Sequence, residues 1–279
     1  MKTLHVLANE TDDASAIGGW ATECLKLEVA THPKPGLVSH VNTGAHIDMD
    51  MALLNASAET LEPYFIALAE AGATGAGMGR LRAIGLAAEQ AMLVRTSGVN
   101  THRGAIFGLG LFCAAAGFRR SYGTAMALGA IIKERWGAEI LDGPVALCTH
   151  GAEVARRHGA GGARVQAGTG FSAVYGVALP ALRLGRRLAP GDAEAARVQA
   201  CISLIATVED TNLLYRGGLK GLVFAQGLAK EFLDQGGVGR SNWREQAEKI
   251  HAAFVARRLS PGGCADLLAM SLFVERTNT

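Results

Sequence analysis

The chain has 279 residues, with 27 Lys and Arg against 25 Asp and Glu, for a formal net charge of +2. That near balance excludes the broad basic face that non-specific nucleic-acid binding needs, so any anion site must be local. Apolar residues make up 49% and aromatics only 6%, and the apolar mass is mostly Ala, Leu, Val and Gly, which favours close-packed helices over a β-sandwich.

Apolar spacing predicts a first helix over 15–30, with Ile17, Trp20, Ala21, Cys24, Leu25 and Val29 on one face. A second begins near Thr60 and buries Leu61, Phe65 and Leu68, with Pro63 in its first turn. A third covers 80–95 with Ile84, Ala88 and Met92 inward. Further helical runs cover 104–117, 121–136, 143–158, 173–188, 191–208, 219–234, 241–258 and 263–275. Pro144 and the Pro190-Gly191-Asp192 turn sit where helices should start. Sustained period-2 alternation is missing, so the expected fold is all-α: a single-domain bundle of about ten helices over residues 1–279. Internal glycines such as Gly108, Gly110 and Gly129 are expected to serve close helix packing.

Five cysteines, Cys24, Cys113, Cys148, Cys201 and Cys264, are odd in number and never form C-x-x-C. They point to a reducing compartment rather than a disulfide framework or zinc knuckle. The opening MKTLHVLANETDD has no apolar run suited to a signal peptide. The longest uncharged stretch, 165–182, is broken by three glycines and Pro180. A cytoplasmic protein with no membrane segment is expected.

Residues 32–50 read HPKPGLVSHVNTGAHIDMD. Pro33 and Pro35 bar helix continuation, and Gly36 permits a sharp turn or close approach to a ligand. One cation, Lys34, is followed by His46, Asp48 and Asp50 at alternating positions. This suits a nucleotide polyphosphate carrying Mg²⁺, with a Pro-rich connector before a charged helix start as the competing reading. Four other segments join polar groups to glycine. His102 and Arg103 precede an apolar helix, where an anion is favoured by the free N–H groups and the dipole. Arg164 lies in the loop GGARVQAGTG, a weak phosphate-loop signal with no preceding strand. Glu209 and Asp210 end an apolar run and are followed by Arg216; adjacent acids there need solvent, a partner or a metal. Asp266 stands in the first turn after Ser-Pro-Gly-Gly, where the helix dipole alone would account for it. Asp48, Asp50, Glu209 and Asp210 form the expected metal set, with Lys34, Gly36, Ser39, Arg103, Arg164 and Arg216 around the phosphates.

Taken in order, TxPKPGLV, NxGAHxDMD, GVNTHRGAIF, VEDTNLLYRGG and SPGGCADLLA resemble the triphosphoribosyl-dephospho-CoA synthase family over roughly 240 residues. Where the family pattern continues GGAR with Gly and Glu, this chain has Val165 and Gln166. The resemblance implies an all-helical enzyme that joins ribose C1′ of ATP to the 2′-hydroxyl of 3′-dephospho-CoA and expels adenine. The product would pass to an acyl-carrier-protein transferase serving malonate decarboxylase or citrate lyase. The malonate-decarboxylase branch is expected, since no transferase is fused, and a homodimer is compatible with the sequence. Breaking an N-glycosidic bond builds positive charge on the ribose, which nearby carboxylates stabilise. His46, Asp48 or Glu209 is then the expected base for the 2′-hydroxyl, and His102 the group that helps adenine leave. Two other classes fit part of this pattern. One is a Mg²⁺-dependent N-glycoside hydrolase, which would turn over without dephospho-CoA; the other is a helical module that binds ATP without consuming it.

Overall fold

A computed structural model describes residues 2–143 and 161–278, with side chains from Asp13 onward. Its α-helices are α1 (Lys2–Ala30), α2 (Met51–Ala73), α3 (Met78–Arg95), α4 (Arg103–Ser121), α5 (Leu128–Asp142) and α6 (Gly162–Gly168). A π turn, Val174–Ala178, leads into α7 (Leu179–Leu188), and α8 (Ala193–Thr207), α9 (Thr211–Asp234), α10 (Trp243–Ala256) and α11 (Gly262–Arg276) follow. Among the described residues there is no strand, and the all-α expectation holds. The helix expected over 143–158 lies, apart from Gly143, outside the described residues, as does Cys148. No helix among the described residues is long and apolar enough to cross a membrane.

Helix α1 begins at Lys2, well before the expected residue 15, and the GGARVQAGTG segment read as a loop holds helix α6. Three further boundaries differ from the sequence reading, each for a local reason. Asp50 is extended and accepts a hydrogen bond from Leu53 N–H, so α2 starts there and Pro63 falls in its interior instead of its first turn. An interior proline costs about 3 kcal/mol, and α2 offsets this by burying Leu54, Ala58, Leu61, Phe65 and Leu68 along its length. Gly123, at φ +60°, closes α4, and the chain resumes helix only at Leu128. From there Leu128, Ile131, Ile132, Trp136 and Ile140 carry the apolar face of α5. In α9, Gly218 leaves helical geometry at φ 60°, ψ −164°. The run expected from 219 is therefore its second segment, preceded by a short first segment that carries Asn212 and Arg216.

One hydrophobic core threads α1, α2, α4, α5, α8 and α11. Its tightest point is the crossing of α2 and α4. A Cβ on Gly72 would lie 1.9 Å from the Ala114 carbonyl oxygen, and one on Gly117 would lie 2.0 Å from that of Ala69. Such backbone-to-backbone approach requires glycine, so these positions serve packing. Cys24, Cys113, Cys201 and Cys264 are buried in this interior as free thiols. The crossing fixes α4 at its C-terminal half, which leaves its N-terminus beside the 31–50 loop and the start of α11.

Candidate active site

Helix α1 ends at Ala30, and the loop that follows folds back along it. Lys34 is 1% exposed, and its ammonium donates to the Glu28 carboxylate in the last turn of α1. A buried cation must be paired, and Glu28 is its partner. Polar contacts hold the loop at several of its residues. His251 of α10 donates from Nδ1 to the Lys34 carbonyl at 2.8 Å, and its Nε2 meets Asn42 Oδ1 at 2.9 Å. Gly44 N–H also donates to that Oδ1. His32 contacts Ser39 Oγ through Nδ1 and Glu248 through Nε2. Gly36 has φ +69°, and a Cβ there would lie 2.1 Å from the Leu259 carbonyl oxygen. Gly36 thus serves close approach to the chain before α11, and Ser39 serves the loop's own hydrogen bonds. Both were expected at the phosphates, and neither lines the cleft.

That cleft, about 160 Å³, lies where the N-termini of α4, α9 and α11 meet the loop. Its wall includes Glu28, Lys34, His46, Asn100, His102 and Arg103, together with Asn212, Arg216, Gly262 and Asp266. No side chain caps the start of α4 or α11 from its own N-cap position. First-turn N–H groups and helix dipoles therefore favour negative charge in this space. Arg216 donates to the carbonyls of Ala45 and Arg258 and lies 3.4 Å from His46 Nδ1. Arg103 is tied to Glu89 on α3. Both guanidinium groups remain at the cleft wall, beside Lys34.

His102 is 4% exposed; its Nδ1 shares a hydrogen bond with Ser57 Oγ at 2.9 Å, and its Nε2 is buried without a partner. Burial, helped by the Lys34 ammonium, pushes its pKa down to about 4, so the ring is neutral at ordinary pH. His46 is also shifted down, by burial and then by Arg216, and its Nε2 is hydrogen-bonded to Ser260 Oγ at 2.8 Å. Asp266 reaches back over the first turn of α4 and accepts the Ala105 N–H. Burial, with the Glu28 and Asp210 carboxylates nearby, raises its pKa well above the carboxylate range.

The expected metal set is not assembled. Asp210 is 1% exposed and caps α9, accepting from Asn212 N–H and Leu213 N–H, while its second oxygen accepts Cys264 N–H at the start of α11. It ties two helix starts together, and burial raises its pKa against the pull of those N–H bonds. Asp50 caps α2. Asp48, 3.6 Å from His46, and Glu209 are both exposed and off the cleft wall. Among the described residues no three His, Cys, Asp or Glu side chains converge as a metal cage. Arg164 donates to the carbonyls of Ile140, Leu141 and Gly143, so it holds the end of α5, and it is off the cleft wall. Gln166 accepts from Ala173 N–H. Sequence reasoning passed over Glu28 and His251. Each had a signal: Glu28 falls on the same apolar face as Cys24 and Leu25, and His251 joins Ala247, Ile250 and Phe254 on the buried stripe of α10.

Fold and site together define an all-helical protein whose polar cleft, lined by helix starts, holds Lys34, Arg103 and Arg216 beside His102 and Asp266. A family profile described as ATP:dephospho-CoA triphosphoribosyl transferase matches residues 14–279, and the chain belongs to that family of transferases. It is 39% identical, over 88% of this chain and 84% of the other, to a 2-(5''-triphosphoribosyl)-3'-dephosphocoenzyme-A synthase of Pectobacterium atrosepticum. Proteins named as probable synthases of the same kind are similar: 38% identical in Pectobacterium carotovorum, over 94% of this chain and 89% of the other, and 36% in Acinetobacter calcoaceticus, over 97% and 94%. Among solved structures none matches the chain significantly.

Proposed function

We propose that this cleft transfers the triphosphoribosyl group of ATP to the 2′-hydroxyl of 3′-dephospho-CoA and releases adenine. The observation that carries the reading is the pairing of two features in one small space. The starts of α4 and α11 give Ala105 N–H to Asp266 and Cys264 N–H to Asp210, but their Gly104 and Gly262 line the cleft between Arg103 and Arg216, and that setting suits a triphosphate. Beside them stand acid–base groups whose proton affinities burial has shifted, His102 downward and Asp266 upward. The first feature suits phosphates without any lysine-ended phosphate loop, and the second supplies proton-transfer groups for chemistry at a sugar carbon. Attack at C1′ needs both, since phosphate is retained and a base must leave.

With a pKa of about 4, His102 holds no surplus proton at neutral pH, so it suits accepting the 2′-hydroxyl proton better than protonating adenine. Its unpartnered Nε2 is the atom for that task. The residues present do not form a resident metal cage, so Mg²⁺ enters this reading as the counter-ion of the triphosphate, with the exposed Asp48 as its protein carboxylate. A second transferase that loads an acyl carrier protein of malonate decarboxylase or citrate lyase would consume the product. Support for both substrates is the family's description and the names of the relatives.

The test is a mass analysis of products after incubation with ATP and 3′-dephospho-CoA. Adenine should accumulate one-for-one with a dephospho-CoA adduct whose triphosphate is intact, and omission of dephospho-CoA should stop adenine release. Stoichiometric ADP or pyrophosphate without adenine would overturn the reading.

A further inference from the structure

Glu28 and Asp266 line the cleft, Asp210 lies close behind Asp266, and among the described residues Lys34 is the one cation buried with them. Glu28 takes that cation, the Lys34 ammonium. Asp210 takes three backbone N–H donors, from Asn212, Leu213 and Cys264. Asp266 takes one, the Ala105 N–H. Its place is built with care: a Cβ on Gly104 would lie 2.0 Å from Asp266 Oδ2, so a glycine at the start of α4 is what admits the carboxyl. The two neighbouring groups are better compensated, one by a cation and the other by three N–H donors. Desolvation disfavours a third charge beside them, and a single N–H bond leaves Asp266 the least compensated of the three.

We propose that Asp266 is a catalytic residue, a carboxylic acid that keeps its proton at the cleft wall and delivers it to a ring nitrogen of the departing adenine. This rests on the triphosphoribosyl-transfer reading above and fills a role that His102, neutral and short of a proton, does not. In the step, the C1′–N9 bond breaks with both electrons going to adenine, and Asp266 supplies the proton that makes adenine neutral. The 2′-hydroxyl oxygen of dephospho-CoA forms the new bond to C1′, and its proton passes to His102 Nε2. Exchange with solvent after product release restores the proton to Asp266 and removes it from His102. The upward pKa shift, caused by burial and then by Glu28 and Asp210, agrees with the pairing argument.

Asp266→Asn tests this, because the amide keeps the volume and an oxygen to accept Ala105 N–H while it cannot transfer a proton. General acid catalysis contributes about 10²–10⁴-fold, so kcat with ATP should fall by at least about a hundredfold with KM little changed. The remaining activity of D266N should be flat at alkaline pH, where the wild-type rate declines. With 7-methyladenosine 5′-triphosphate, whose base leaves neutral without a proton, D266N should come within about fivefold of wild type. An equal loss on both donors, or a residual ATP rate that keeps the wild-type alkaline decline, would make Asp266 a structural residue and overturn the proposal. Full activity of D266N with ATP would do the same. Failure of the underlying reading would look different: the wild type itself would release no adenine from ATP.

Discussion

The two ends of α4 put small residues to opposite uses. In its C-terminal half, Gly117 and Ala114 meet Ala69 and Gly72 of α2 backbone to backbone, and no polar side chain takes part. At its N-terminal end, Gly104 makes room for the half-buried Asp266 carboxyl, and the buried neighbours are Lys34, Glu28 and His102. The dry end is satisfied by dispersion and close packing alone. The polar end is only partly satisfied, with an unpartnered His102 Nε2. Glycine in a helix therefore marks close approach at both ends, and what approaches decides between packing and chemistry.

The largest expected effect that sharpens this contrast is at Lys34. Lys34→Ala strands a buried Glu28 carboxylate, and breaking such a pair costs about 3–5 kcal/mol. Denaturant unfolding should show that loss, and ATP binding should fall with it. The double variant Lys34→Met with Glu28→Gln should recover most of the stability in the same measurement yet still bind ATP poorly. Full ATP affinity in the double variant would place the triphosphate away from the lysine loop.

Next comes the dry end. Gly72→Ala drives a methyl into the Ala114 carbonyl and should cost about 1–3 kcal/mol through a forced backbone shift. Turnover per folded molecule should stay at the wild-type level, since nothing at the cleft changes. A drop in kcat at full folding would show that the two ends are coupled.

His102 gives a pH signature. Its folded pKa of about 4 lies below the ordinary 6.5, so between those values the unfolded chain binds more protons than the folded one. The neutral ring's contribution is present above that window and lost as pH falls through it. Relative to His102→Asn, the wild type should lose about 2 kcal/mol of unfolding free energy between pH 7 and pH 5. Parallel stability profiles would mean that His102 titrates normally. The smallest effect is at Arg164, where Arg164→Ala should cost about 1 kcal/mol through lost contacts to the α5 carbonyls. The KM for ATP should be unchanged, and a marked rise would return Arg164 to the phosphates.

The helices were legible because their apolar faces repeat at helical spacing, as in Leu61, Phe65 and Leu68. The motif segments were legible too, and three of the four converge with the loop on one cleft. Partner choice was not legible. Asp210 and Arg164 have the right chemistry for metal and phosphate, but the fold spends them on backbone groups at helix ends, where orphan N–H and C=O groups need partners. Conversely, Asp266 reads from sequence as a first-turn acid, and only the approach of α11 to α4 shows that its carboxyl enters a shared cavity. Pairing across 54 or more residues, as between Asp210 and Cys264, leaves no local pattern.

The central claim is that the triphosphate sits at the converging starts of α4, α9 and α11, and a crystal structure of the ATP complex tests it most directly. The account predicts phosphate oxygens within about 3.2 Å of Arg216 and of first-turn N–H groups at Gly104 or Gly262, with ribose C1′ facing His102 and Asp266. A triphosphate seated instead on the α6 segment, residues 161–170, with Arg164, leaving the cleft empty, would contradict it.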